Sequence, residues 1–487
     1  MIQSWSDLMP ILPEVVMLIA ALTLMLLEAF LSERNRHWLF VFAMASLLSV
    51  AFIVTLDFNY GPQQPLLDGM LVRDALGDVL KLFMLLCTAI VFVYARQFFS
   101  ARRQFFGSFY VLALFAVLGM MVLVSAGNLV TVYLGLELMA LATYTLVALD
   151  RDDGVATESA MKYFVLGAIA SGLLLYGMSL LFGVTGSLDL REINQKLLEI
   201  ATGDPGKIIL MAFALTFIVI GLAFKFGAVP FHMWLPDVYE GAPTAVVAFI
   251  ASVPKLAALG MAFRLLTEGL DVMQPRWQEM LALLTIASLI VGNLAALAQY
   301  NLKRLMAYST ISHVGFIFLG LLNGGAQGYS AVLFYTIVYA LTTAAAFGVI
   351  MSFSREGLEF DKIDDFKGLN QRSPWMAFLM LLVMASLAGI PPLVGFWAKM
   401  QVIMAAVALG KTFAWVVLIA AICAVIGAFY YLKIIKVMYF DAPENDVLPI
   451  AGLDVRWVLA CNTLIVVVLG VYWAPLAAVC NAVFMHR

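Results

Sequence analysis

Apolar residues along this chain come in blocks of about 20 with hardly a charge in them, separated by short polar punctuation such as SAGN at 125–128 and NGGAQG at 323–328. A helix needs about 20 residues to cross roughly 30 Å of hydrocarbon, so each block predicts one crossing. Marking them gives about fourteen spans, at 10–31, 38–57, 72–95, 107–125, 128–149, 160–184, 207–229, 244–267, 278–299, 303–322, 328–352, 373–402, 412–437 and 455–478. One polar interval is longer, GSLDLREINQKLLEIATGDPGK at 186–207, and reads as a loop. The pattern predicts an all-α polytopic membrane protein with no separable soluble domain.

Composition agrees and narrows the chemistry. Of 487 residues 12% are charged, about half the fraction of a soluble domain, and mean hydropathy is +0.99. A formal net charge of −3, spread over short loops, suggests no nucleic-acid partner. Cys87, Cys423, Cys461 and Cys480 stand apart in apolar surroundings, which argues against disulfides, zinc and iron–sulfur ligation. The first apolar run follows Asp7 and no basic region, so it reads as a mature helix. Of the 28 basic residues, sixteen fall on one side of the predicted membrane, nine on the other and three inside spans. Arg34 and Arg103 belong to the first group, and Arg73, Lys81, Arg264 and Arg487 to the second. That bias places both termini outside.

A second regularity lies in the breaks. The seventh span is interrupted at AVPF (228–231) and the twelfth at GIPP (389–392), with Pro230 and Pro391 161 residues apart. Each break is the fourth of a five-span set, and an odd number of crossings turns the second set upside down relative to the first. Paired interrupted segments in two inverted halves point to a transport site, although single Pro or Gly breaks are common in membrane helices.

Four ionisable side chains lie well inside apolar runs: Glu137 in LGLELMAL, Lys225 in GLAFKFGAVP, Lys255 in ASVPKLAALG and Lys399 in VGFWAKMQ. A charge at a helix centre costs about 3 kcal/mol on insertion scales, so each needs compensation. Glu137 reads as the only acid at the right depth to meet a lysine. Burial loosens a lysine's hold on its proton and a nearby carboxylate tightens it, which makes lysine a switchable proton carrier. The Pro230 break would hydrate Lys225, and Pro254 would loosen the helix beside Lys255. His313 lies four residues after Ser309 on one helix face, a candidate relay between Lys255 and Lys399 or a hydrogen-bonded core histidine. Tyr133, four residues before Glu137, either holds the carboxylate or packs. Glu28 and Asp78 sit near span ends and read as solvated; His37, Lys433 and Lys436 read as snorkelling. The segment from His232 to Pro243 reads as a polar turn between spans.

Three stretches carry a family resemblance: PFHMWLPDVYEGAPT at 230–244, NLKRLMAYSTISHVGF at 301–316 and SLAGIPPLVGFWAK at 386–399. With these the whole chain resembles the N-type antiporter-like membrane subunits of respiratory complex I, the NADH:quinone oxidoreductase, within a wider family that includes the Mrp cation/proton antiporters. Lys399 stands where M-type subunits are expected to carry glutamate, and no long extension follows span 14, as the L type would have. The resemblance implies two inverted five-helix repeats, each with a broken helix. It implies that Glu137 and Lys225 form a coupling pair, that Lys255 is a central relay, that His313 connects, and that Lys399 is the terminal donor or acceptor. It also implies no cofactor in this chain, with flavin, iron–sulfur clusters and quinone in partner subunits, both membrane and peripheral. The expected setting is a bacterial cytoplasmic (inner) membrane, with protons and internal water as the transported chemistry.

The expected organisation is 1–106 as an N-terminal three-helix segment, 107–267 and 278–437 as the two repeats, and 438–487 as a C-terminal helix. The repeats do not share their charges, since a shift of 161 carries Glu137 to Ala298. Three readings stay open: a proton-translocating module of a redox-driven pump, a Mrp-like secondary antiporter, and a scaffold that retains its charges without transporting.

Overall fold

The computed structural model describes residues 9–32, 35–56, 58, 60–61, 63–102, 107–201, 205–355 and 359–485. Helices α1 (Leu12–Phe30), α2 (His37–Leu56) and α3 (Ala75–Ala101) come first, and a hairpin of β1 (Gln64–Leu66) and β2 (Leu71–Arg73) connects the last two. The first five-crossing set is α4 (Gly107–Val124), α5 (Leu129–Val147), α6 (Gly154–Thr185), then after α7 (Leu190–Ala201) the broken pair α8 (Pro205–Phe226) and α9 (Trp234–Gly241), and α10 (Thr244–Ala262). The second is α11 (Gln274–Leu297), α12 (Leu302–Leu322), α13 (Ala326–Met351), then after α14 (Leu369–Arg372) the broken pair α15 (Pro374–Ala388) and α16 (Val394–Val407), and α17 (Ala414–Phe440). Helices α18 (Leu453–Val471) and α19 (Ala474–Met485) end the chain.

Thirteen helices among the described residues are long and apolar enough to span a bilayer, and α15 with α16 supplies the remaining crossing in two pieces. The architecture is thus two inverted five-helix sets, each containing a broken helix. Within each set the first two helices form a close hairpin. Small residues permit the approach: a β-carbon at Gly119 of α4 would stand 2.8 Å from the Gly135 carbonyl of α5, and one at Gly292 of α11 would stand 3.0 Å from the Tyr308 carbonyl of α12. Helices α10, α12 and α13 are buried on all sides and form the centre. Helices α1, α2 and α17 instead expose leucines and phenylalanines such as Leu26, Phe52 and Phe429.

One face is knitted by buried charges at the helix ends. Arg264, fully buried just beyond α10, donates Nε and Nη2 to the Val124 carbonyl at the end of α4, and pairs with Asp74 at 2.7 Å and Glu268 at 2.5 Å. Asp74 also caps α3 by accepting from the Gly77 amide. Beside it Lys81 meets Glu14 at 2.6 Å and Asp78 at 3.9 Å, and Asp78 meets Arg73 at 3.3 Å. Asp78 is therefore buried and paired, not solvated, and Lys81 and Arg264, assigned from sequence to one side of the membrane, are sealed inside the bundle. Each lies within a turn or two of a helix end, where hydropathy alone cannot tell a capped, packed terminus from an open one. Glu28 is half-buried and accepts from Ser108 at 2.9 Å.

Other differences follow from short-range amphipathicity. The expected loop at 186–207 contains α7, whose Leu190, Ile193 and Leu197 repeat at helical spacing and are buried. The expected polar turn at 232–243 is mostly α9, with Trp234, Leu235, Val238 and Tyr239 buried on one face. Its Asp237 and Glu240 pair with Arg304 at 3.0 and 2.6 Å, and Asp237 also with Lys162 at 2.9 Å, which ties the first set to α12 of the second. Lys303, at the start of the tenth predicted span, is buried and bonds the Ala242 carbonyl and Glu359. Beyond span 14 the chain turns at 472–473 into α19, whose Phe484 packs on Phe263. Arg34, Arg103, Arg487 and Asp7 lie outside the described residues.

Two outcomes are expected. Arg264→Leu removes the guanidinium that pairs with the buried Asp74 carboxylate, and loss of one partner of a buried pair costs about 3–5 kcal/mol, so the variant melts lower in detergent by differential scanning fluorimetry and accumulates less. Burial by itself would raise the Glu359 carboxyl, but the Lys303 ammonium and the Arg102 guanidinium outweigh it and hold its pKa below the ordinary 4.5. That stabilisation is present above 4.5 and is lost as the pH falls through the lower folded value. Glu359→Gln flattens the acid side of a melting-temperature profile by about 1 kcal/mol, while an unchanged profile would show the contact to be idle.

Candidate proton-transfer site

The site starts from backbone chemistry. A helix that ends inside hydrocarbon leaves its last carbonyls without partners, and each has to be satisfied locally. At the first break α8 stops at Phe226, and Gly227 takes a left-handed φ of +79° that a side chain would resist. The Ala223 carbonyl accepts from the Ala228 amide at 2.8 Å, and the Phe224 carbonyl accepts from the Trp234 indole at 3.0 Å. The Phe226 carbonyl accepts from the Lys255 ammonium at 2.7 Å. The same ammonium lies 5.6 Å from the centre of the Trp234 ring. Opposite the break, the Ser288 hydroxyl of α11 accepts from the Val229 amide at 3.0 Å.

The second break repeats this solution with different residues. Helix α15 stops at Ala388, Gly389 has φ +85°, and the Ile390 amide returns to the Ala385 carbonyl at 3.0 Å. Lys399 then donates to the Leu387 and Ala388 carbonyls at 2.8 and 3.0 Å, with its ammonium 5.4 Å from the Phe316 ring centre. Leu387 is the residue a shift of 161 pairs with Phe226. So each broken helix presents its negative end to a buried lysine, from α10 in one case and from α16 in the other. Pro230 and Pro391 lie in the two breaks, whereas Pro254 lies inside α10 without ending it.

Lys225 is different. It is the penultimate residue of α8, and its buried ammonium has no hydrogen-bond partner and stands 5.6 Å from the Tyr144 ring centre. Tyr144 follows Glu137 by seven residues on α5, hence on the same face. Glu137 Oε1 is itself buried without a hydrogen-bond partner. The structure brings the two ionisable groups to one region and does not join them as an ion pair. Tyr133, one turn before Glu137, is half-buried beside them. Two other acids, Glu14 and Asp78, are buried in the first turns of α1 and α3.

His313 occupies the centre of α12. Its Nδ1 lies 2.6 Å from the Tyr335 hydroxyl and its Nε2 3.0 Å from the Tyr431 hydroxyl, which also contacts Ser309. His313, Tyr335, Ser386 and Lys399 line a cavity of about 10 Å³, the space one water centre needs. The sequence reading missed these tyrosines and Tyr144. Their signal was a hydroxyl inside an apolar helix, but only packing says which of many such tyrosines meet a titratable group. Among the described residues no group of three or more His, Cys, Asp or Glu side chains could hold a metal ion.

The family model for the membrane part of NADH:quinone oxidoreductases and Mrp antiporters matches residues 126–427. NADH-quinone oxidoreductase subunit N of Thiobacillus denitrificans is 50% identical over 97% of this chain and 96% of its own length. The chain belongs to the subunit N family. The subunit N protein of Nitrosomonas europaea, 49% identical over 99% of this chain and 98% of its own, agrees with that placement. Among solved structures, a chain of respiratory complex I from Thermus thermophilus is 32% identical and superposes with a TM-score of 0.82, covering 96% of this chain and 99% of its own. A chain of the Mrp complex from Dietzia sp. DQ12-45-1b, at 22% identity and TM-score 0.81 with 97% of each chain covered, shares the fold. Subunit N membership accounts for the multi-pass architecture.

Gly389 has both a positive φ and a neighbour, since a β-carbon there would stand 3.0 Å from Lys399 Cδ. Gly389→Ala is expected to cost about 1–2 kcal/mol in thermal stability through the left-handed backbone, with a further loss if Lys399 leaves its carbonyls. A variant as stable as the parent would show that the break tolerates another conformation.

Proposed function

We propose that this chain is the proton-translocating, antiporter-like subunit of an NADH:quinone oxidoreductase, coupling electron transfer from NADH to quinone with proton movement across a bacterial inner membrane. The observation that carries the reading is the pair of buried lysines, Lys255 and Lys399, held by the carbonyl ends of two broken helices and, among the described residues, by no carboxylate. Carbonyl dipoles can hold either the ammonium or the neutral amine, whereas a carboxylate partner would lock the charge in place. In this reading Glu137 and Lys225 exchange influence in the first repeat (107–267), Lys255 relays, and His313 with Lys399 completes the path in the second (278–437). Ser309 and Tyr133 assist as hydrogen-bonding neighbours, and Pro230, Pro254 and Pro391 open backbone for water. Segments 1–106 and 438–487 flank the repeats. Flavin, iron–sulfur clusters and quinone are handled by partner subunits, and the excess of Lys and Arg on one side of the membrane supports both termini on the periplasmic side.

The test is NADH-driven proton pumping in vesicles holding the assembled complex. Removing a proton-transfer group costs on the order of 10²-fold in rate, so Lys225→Ala and Glu137→Ala are expected to bring pumping through this subunit to background. Native-gel assembly stays intact. Normal pumping in assembled variants would sink the reading, and cation-dependent proton flux without any NADH dehydrogenase would favour a secondary antiporter.

A further inference from the structure

The relay of Lys255, His313 and Lys399 gives Ser309 only a supporting place and no task to the tyrosine hydroxyls around His313, yet these groups form a continuous chain. Tyr335 of α13 bonds His313 Nδ1, Tyr431 of α17 bonds His313 Nε2, and Ser309, one turn before His313 on α12, bonds the same Tyr431 hydroxyl. All four side chains are buried. At one end Tyr335 and His313 line the cavity that holds Lys399. At the other, Ser309 is four residues, about 6 Å along the helix axis, nearer the end of α12 that carries Arg304 and its Asp237 and Glu240 partners. The C-terminal end of α17 lies on that side too, where Lys433 stands 5.5 Å from the Tyr300 ring centre.

We propose that Tyr335, His313, Tyr431 and Ser309 are a proton-conducting branch joining the Lys399 cavity to the Arg304 face, with both tyrosines carrying the proton themselves. It rests on the proton-transfer reading above. Satisfying a core histidine requires one partner per ring nitrogen. Packing alone does not require that the Tyr431 hydroxyl be bonded on both sides, or that the chain run from the cavity lined by Lys399 to a serine hydroxyl one turn nearer the Arg304 end of α12. A neutral imidazole donates from one nitrogen and accepts at the other, and a hydroxyl does both, so this chain has two polarities of similar energy.

The proton count closes without an ion left behind. In one polarity Tyr335 O–H donates to Nδ1, Nε2–H donates to the Tyr431 oxygen, and Tyr431 O–H donates to Ser309 Oγ. A proton arriving on the Tyr335 oxygen from the cavity displaces that hydroxyl's own proton onto Nδ1. The Nε2 proton moves to the Tyr431 oxygen, the former Tyr431 proton to Ser309, and the Ser309 proton passes to water entering from the Arg304 face, which is the acceptor the branch requires. One proton has entered and one has left, His313 has changed tautomer, and every hydroxyl is intact with its direction reversed. A second pass in the same direction requires the hydroxyls to rotate and the imidazole to turn about its side-chain torsions, so that the protonated nitrogen faces Tyr431 and the bare one faces Tyr335; without that turn the chain can only run the reverse sequence, which carries a proton the other way.

The test measures protons moved per NADH oxidised in sealed vesicles containing the assembled complex, with Tyr431→Phe, Ser309→Ala and Ser309→Thr beside the parent. Tyr431→Phe and Ser309→Ala are expected to lose the share of pumping that this subunit carries, and Ser309→Thr, which keeps the hydroxyl, to retain the parent ratio. Parent ratios in Tyr431→Phe and Ser309→Ala would overturn the branch, as would equal losses in Ser309→Ala and Ser309→Thr, which would mark a packing effect. Should Tyr431→Phe fail to assemble on a native gel, the serine pair decides. Lys225→Ala run in parallel separates the two levels. A loss there with parent ratios in the branch variants refutes the branch alone, and parent ratios throughout refute the relay reading with it.

Discussion

The structure depends on what happens to backbone carbonyls where a helix stops inside hydrocarbon. Water is absent there, and each unsatisfied carbonyl would cost several kcal/mol. This protein stops two helices at depth, after Phe226 and after Ala388, and satisfies them with the same three devices: a left-handed glycine, a returning amide and a buried lysine. The lysines are thus part of the fold before they are part of any mechanism. A side chain that keeps the backbone satisfied while being able to lose its proton lets the two roles coincide.

That arrangement separates Lys255 and Lys399 from the other buried basic groups. Lys81 and Arg264 meet carboxylates at 2.6 and 2.7 Å and serve to clamp α1, α3, α4 and α10 together on one face. Lys303 and Arg304 do the same on the other, bridging the loop at Glu359 and the short helix α9. The charges that stay paired lie near the two faces, and the lysines held by carbonyls lie between them, at the breaks. Rigid clamps at both faces allow the middle to change hydration and protonation without the bundle coming apart. Lys225 and Glu137 form a third class, the buried lysine ammonium and one oxygen of the half-buried glutamate both lacking a hydrogen-bond partner, and so are most open to rearrangement.

The two repeats share a backbone and differ in side chains. Hairpins α4–α5 and α11–α12 close over small residues in both, and both breaks carry a positive-φ glycine, so the path of the chain repeats. The capping lysine comes from the following helix in the first repeat and from the second half of the broken helix in the other. Only the first has a half-buried glutamate on its second helix, and only the second has a histidine held between two tyrosines.

Sequence by itself determined the crossings, the breaks and the costly charges. Fourteen apolar blocks, two proline-marked interruptions in register and three lysines inside blocks are all local signals, because the bilayer imposes one length and one polarity on every segment. Tertiary structure alone decided the partners. Nothing local shows that Lys255 reaches the Phe226 carbonyl, that Asp78 near a span end is sealed beside Lys81, or that Tyr335 and Tyr431 meet His313 from two other helices. These contacts join residues between 3 and 118 positions apart. Their distances depend on how helices rotate and pack, and an apolar block has the same composition whichever face it turns inward.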